Sequence, residues 1–161
     1  MLIRQASLFV SVGLTYGQLS TFRHEIRQIL ISFVSKFGVM VSYFLEDIDF
    51  KFAGKRLNNA WLKSVAESES RRLGRINIIF CSDKYLLDVN VKFLKHDYYT
   101  DIITFDYCEG DVLSGDLFIS IDSVRANSEF FGTTFGNELD RVIVHGLLHL
   151  IGYDDHTEAE Q

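Results

Sequence analysis

Between Val142 and Ile151 the chain reads VIVHGLLHLI, and a helix drawn through it is apolar on nearly every side. A helix with no polar face to offer solvent has to be covered by the rest of the fold. The covering elements must therefore come from the same chain or a partner. With 161 residues, 47% of them apolar and 24% charged, this chain has the length and composition to bury a core of its own.

The pattern upstream supplies those elements. From Met40 it predicts a strand over 41–46, a helix over 57–73 with Gly74 as its C-cap, and a short apolar strand over 76–80. Ser82 is the predicted N-cap of a helix reaching about residue 95, and DIITFDY (101–107) and GDLFISI (115–121) predict two strands joined by a turn at Glu109, Gly110 and Asp111. Asp122 opens a helix to about Phe131, and the last helix runs from Asn137 to Leu150, ended by Gly152. The expected class is α+β, with a small mixed sheet and packed helices.

Residues 1–39 stand apart, with Arg4, Arg23, Arg27 and Lys36 against the single acid Glu25, whereas the rest of a chain of net charge −6 is acidic. The basic start and the run ASLFVSVGLTY suggest a signal peptide, but no small-residue cleavage site follows. An amphipathic helix over 22–37 and an upstream extension ahead of Met40 are the alternatives, and the extension is favoured. No stretch has the length to span a membrane. Cys81 and Cys108 lie far apart and outside any CxxC pair, so free thiols in a reducing compartment are expected. The acidic balance means that any polyanion site is local. Arg71, Arg72 and Arg75 form the densest basic cluster, and the solvated end of a helix accounts for them better than a phosphate site.

The apolar helix carries His145 and His149, four residues apart. That spacing puts two imidazoles on one face, within reach of one metal ion. Buried histidines need partners for their ring nitrogens, and a lone one is usually bonded to a carbonyl. Two, one turn apart and followed by GYDDH, favour a metal. Gly152 permits a left-handed turn that returns the chain, so Asp155 or His156 can bring a third donor, the protein complement of catalytic zinc. Between the histidines stands Gly146, where a zinc peptidase helix holds its glutamate base. Glycine there costs about 1 kcal/mol relative to alanine, which close packing or space for a substrate beside the metal must offset.

At these residues the chain resembles the YbeY family of metal-dependent endoribonucleases, whose pattern His-Gly-x-x-His-Leu-x-Gly-Tyr-Asp-His is followed by HGLLHLIGYDD through Asp154. NVKFLKHDYYTDIITFDY and GDLFISID extend the resemblance upstream, over residues 40–161. It implies one Zn2+ ion, a fold resembling the zinc metallopeptidase core, a cytoplasmic setting, and a ribosomal RNA precursor or ribosomal subunit as partner, with late 16S rRNA processing as the role. His145 and His149 would act through the metal-bound water.

Two departures matter. The family's third histidine falls at Asp155, with His156 one place later; register favours Asp155 as ligand and leaves His156 as the alternative. Leu94 stands where family members carry an arginine thought to contact phosphate, leaving Lys92, Lys95 or His96 to supply that charge. The chain also ends sooner after the motif than is usual in the family, so a closing helix is expected to be missing. Zinc lowers the pKa of its water to about 7, so a nucleophile exists without a glutamate, and RNA offers its own 2′-hydroxyl as a second route. A metallopeptidase, disfavoured by Gly146, and a ribosome-associated factor with structural zinc are the rival readings.

Overall fold

The segment RLGRINIIFC forms the central strand, because its middle is apolar on both faces and only a strand covered on both sides can hold it. A computed structural model of the chain describes residues 40–153. The extension proposed for residues 1–39, the third-ligand candidates and the expected missing helix lie outside the described residues.

Four strands form one mixed sheet: β1 (Met40–Leu45), β2 (Arg72–Cys81), β3 (Ile102–Asp106) and β4 (Val112–Ser120), in the order β1-β2-β4-β3. β1 and β4 run parallel to β2, while β3 is antiparallel to β4 and forms an edge. The parallel β1–β2 pair requires a crossover, which α1 (Lys55–Ser68) supplies. The other helices are α2 (Asp83–Val89), continued by a π-helical turn over Asn90–Leu94, α3 (Ile121–Phe130) and α4 (Phe135–Ile151). The class is the α+β arrangement expected.

One face of the sheet, with Ile76, Ile78, Phe80, Leu117 and Ile119, packs on Leu62 and Ala66 of α1 and on Val142, Ile143 and Leu147 of α4. The other face has a smaller cluster in which Cys81 and Ile103 meet Leu86 and Val89 of α2. Burying each such large apolar side chain contributes about 1.5–3 kcal/mol, so the first cluster carries most of the stabilisation.

Helix caps follow the local sequence. The Ser82 hydroxyl accepts from Tyr85 N at 3.1 Å, Ser120 from Ser123 N at 3.1 Å and Thr134 from Asn137 N at 3.2 Å. The last two caps lie slightly upstream of the predicted helix starts. Gly74, however, is not a C-cap. Helix α1 ends at Ser68, Ser70 takes the left-handed conformation at φ 56°, and the chain is already extended at Arg72. Gly74 lies inside β2, where a Cβ would come within 2.6 Å of both Ser114 Oγ and Val112 Cγ1. Close approach to β4 therefore explains this glycine.

The same shift moves the basic cluster from a helix end to a strand start. Arg72 is already engaged, donating from Nε and Nη2 to the two carboxylate oxygens of Asp111 at 2.6 and 2.9 Å. Both cysteines are free thiols. Burial, reinforced by Asp47, Asp83, Asp122 and Glu46, pushes the Cys81 thiol up to about 12. Burial and the Asp106 hydrogen bond push Cys108 up to about 11. Neither is a thiolate at neutral pH. Among the described residues no helix is long and apolar enough to cross a membrane.

Candidate metal centre

Helix α4 buries a stripe rather than its whole circumference. Leu139, Val142, Ile143, Gly146, Leu147 and Leu150 face inward at helical spacing, while Val144, Leu148 and both histidines are half-buried on its flanks. The histidines thus sit at the margin of the core, where a polar substrate has access.

Gly146 lies against the sheet. A Cβ there would fall 2.4 Å from Ile102 Cδ1 of β3 and 3.0 Å from Leu117 Cδ2 of β4. The space beside this glycine is filled by strand side chains, so close packing explains it and lets α4 lie against β3 and β4.

The two rings converge. His145 Nε2 and His149 Nε2 are 3.1 Å apart, with ring centroids at 4.3 Å and planes at 66°. Gly152, at φ 109°, ends α4, and its N–H and that of Tyr153 return to the carbonyls of Leu148 and His149. This turn sets the Tyr153 carbonyl 3.0 Å from His149 Nδ1. A carbonyl only accepts, so Nδ1 carries the proton, and any lone pair of the ring is then at Nε2. That is the tautomer a metal ligand needs, held by the outer hydrogen bond typical of ligating histidines. Tetrahedral zinc with bonds of about 2.0–2.1 Å spaces two nitrogens by about 3.3 Å, close to the separation present. The pair therefore fits the donor chemistry of a divalent metal. Among the described residues no third His, Cys, Asp or Glu joins them in a set, and Asp155 and His156 lie outside those residues. The Tyr153 phenol donates to Glu69 Oε2 at 3.1 Å, and this carboxylate raises its pKa.

Beside His149 opens a cleft of about 320 Å³ whose walls include Asn90, Leu94, His96, Tyr98, Thr104 and Asp106. Of the three residues expected to meet RNA, His96 is on this wall, with Leu94 near it. Lys92 and Lys95 are exposed and turned to their own segment: Lys92 Nζ lies 5.2 Å over the Phe93 ring, and Lys95 Nζ donates to Lys92 O at 3.3 Å. Asn90, Tyr98, Thr104 and Asp106 were missed from sequence. The aromatic pair in HDYYTD was a usable signal for Tyr98; the others are brought to the cleft only by pairing of β3 with β4 and by the π-helical turn.

A larger hollow of about 570 Å³ lies between Phe50, Trp61, Phe135 and Asp140. Neither histidine lines this hollow and it shares no wall residue with the cleft beside His149, so the two are separate.

The comparisons with known proteins agree with one another. The family described as Endoribonuclease YbeY matches residues 42–161. A Bacteroides thetaiotaomicron protein named Endoribonuclease YbeY is 54% identical over 121 residues, covering 75% of this chain and 88% of that one. The protein of the same name from Flavobacterium psychrophilum is 45% identical, covering 76% and 86%. A Thermotoga maritima protein of known solution structure superposes with a TM-score of 0.53 at 28% identity, over 76% of this chain and 79% of that one.

Proposed function

Since the chain belongs to the Endoribonuclease YbeY family, we propose that it is a zinc-dependent endoribonuclease that cuts single-stranded RNA, acting in the cytoplasm on a ribosomal RNA precursor during late 16S processing. The observation that carries this reading is the pair of imidazole nitrogens converging 3.1 Å apart beside an open cleft. His145 and His149 would hold the ion, with Asp155, or His156 in its stead, as third donor.

When bound, the ion would supply a Lewis acid for a phosphoryl oxygen and acidify water at neutral pH. The chain's own contribution is positional. The Tyr153 carbonyl keeps the proton of His149 on Nδ1, Gly146 lets α4 approach β3, and His149 lines the cleft. No side chain at position 146 can accept a proton, which weighs against peptide hydrolysis. RNA asks less, because water or the neighbouring 2′-hydroxyl can attack.

The test incubates one zinc-loaded preparation with labelled single-stranded RNA, its 2′-deoxy counterpart and casein, each with and without chelator. Chelator-sensitive cleavage of RNA and intact casein are expected. Casein cleavage without RNA cleavage would overturn the proposal. Equal cutting of the 2′-deoxy strand would leave water as the nucleophile.

The third donor has its own test. With Asp155 as ligand, Asp155→Ala weakens zinc binding far more than His156→Ala, whose loss stays within the 10- to 100-fold typical of outer residues. Competition with a chromophoric chelator measures both affinities, and the reverse order would assign the role to His156.

A further inference from the structure

We propose that Tyr98, backed by His96, is a stacking platform for one nucleobase of the single strand that enters the cleft beside His149. This rests on the endoribonuclease reading and adds to it how the strand is positioned.

Tyr98 is 57% exposed although it is a large aromatic residue, and it lines the same cleft as His149. Its ring stacks on His96 with centroids 5.2 Å apart and planes at 21°, and its hydroxyl lies 3.1 Å from His96 Nδ1. One face of the phenol is thus backed by a second ring, and the hydrogen bond keeps the two together. Such an arrangement offers a preset flat surface to a base, which every base can use because each has a π-face.

The segment that carries the pair is built rather than loose. Asn90, only 2% exposed, donates from Nδ2 to the Tyr98 carbonyl at 2.8 Å and accepts at its own carbonyl from His96 N at 3.4 Å. One buried residue therefore ties the backbone at both members of the pair. The turn needed to reach this position comes from the π-helical stretch Asn90–Leu94 and from Lys95, held in the left-handed conformation at φ 64°. These are costly local choices for a loop whose only task is to connect α2 to β3.

Charge favours stacking over phosphate attraction as the source of affinity. Leu94 at the wall carries no charge, and Lys92 and Lys95 share this stretch with Asp97 in an acidic chain. The platform's contribution should therefore be insensitive to salt, unlike a phosphate contact.

The experiment uses the full zinc-loaded chain and short single-stranded RNAs carrying 2-aminopurine at successive positions, with stopped-flow fluorescence during binding and steady-state cleavage afterwards. In the unmodified protein, 2-aminopurine at one position is quenched on binding. Tyr98→Ala removes that quenching and raises KM by about 10-fold, with the change in KM exceeding that in kcat, and leaves the dependence of binding on salt as it was. Tyr98→Phe keeps the ring, retains the quenching and stays within about threefold in KM. Unaltered KM and quenching in Tyr98→Ala, with RNA cleavage intact, would overturn the platform and leave the endoribonuclease reading standing. An unaltered KM accompanied by altered self-association in sedimentation would make the surface a protein contact and likewise overturn it. No RNA binding or cleavage by the unmodified chain would remove both.

Discussion

His145→Ala and His149→Ala are each expected to abolish stoichiometric zinc and reduce RNA cleavage to the assay background. The two Nε2 atoms converge at 3.1 Å, and removing either leaves at most one histidine donor with whatever the residues after Tyr153 supply. Loss of a ligand should exceed the 10- to 100-fold cost typical of outer-shell changes. Both rings are half-buried on the flank of α4, outside its inward stripe, so folding should survive the substitution. Zinc analysis after gel filtration, paired with thermal unfolding, separates loss of metal from loss of structure. One equivalent of zinc in both folded variants would sink the site.

Gly146→Glu recreates the peptidase pattern in sequence and should produce no peptidase. The Cβ alone would come 2.4 Å from Ile102 Cδ1 and 3.0 Å from Leu117 Cδ2, side chains 8% and 0% exposed. A carboxylate beyond that Cβ would be driven into the core cluster between α4 and the sheet. Overpacking costs about 1–3 kcal/mol and an unpaired buried charge adds several more, against a helix-propensity gain below about 1 kcal/mol. A net loss of at least about 3 kcal/mol follows, and urea denaturation should show it as a lower midpoint or an unfolded protein. A folded variant of unchanged midpoint that digests casein would refute this account of the glycine.

The histidine pair was legible because helical spacing is a local property. Two residues four apart share a face whatever surrounds them, and Gly152 marks the turn that follows. The cap at Ser82 and the turn at Gly110, which takes φ 58° while Glu109 and Val112 exchange backbone hydrogen bonds, were legible for the same reason. The end of α1 was not: Gly74 looks like a C-cap, yet its role is set by Ser114 and Val112, about forty residues away. The full burial expected of α4 also proved too broad, because sequence counts apolar residues while the sheet covers only one side of the helix.

What the sequence by itself determined is the family, the α+β alternation, the spacing of His145 and His149 and the departures at Leu94 and Asp155, all matters of residue type and short-range periodicity. Only the tertiary structure decided what stands around that pair. The order β1-β2-β4-β3 puts β3 at an edge beside α4, Ile102 and Leu117 fill the space at Gly146, and Asn90 carries His96 and Tyr98 to the cleft of His149. Those outcomes depend on strand register and on contacts between segments far apart in the chain, and no local pattern encodes them.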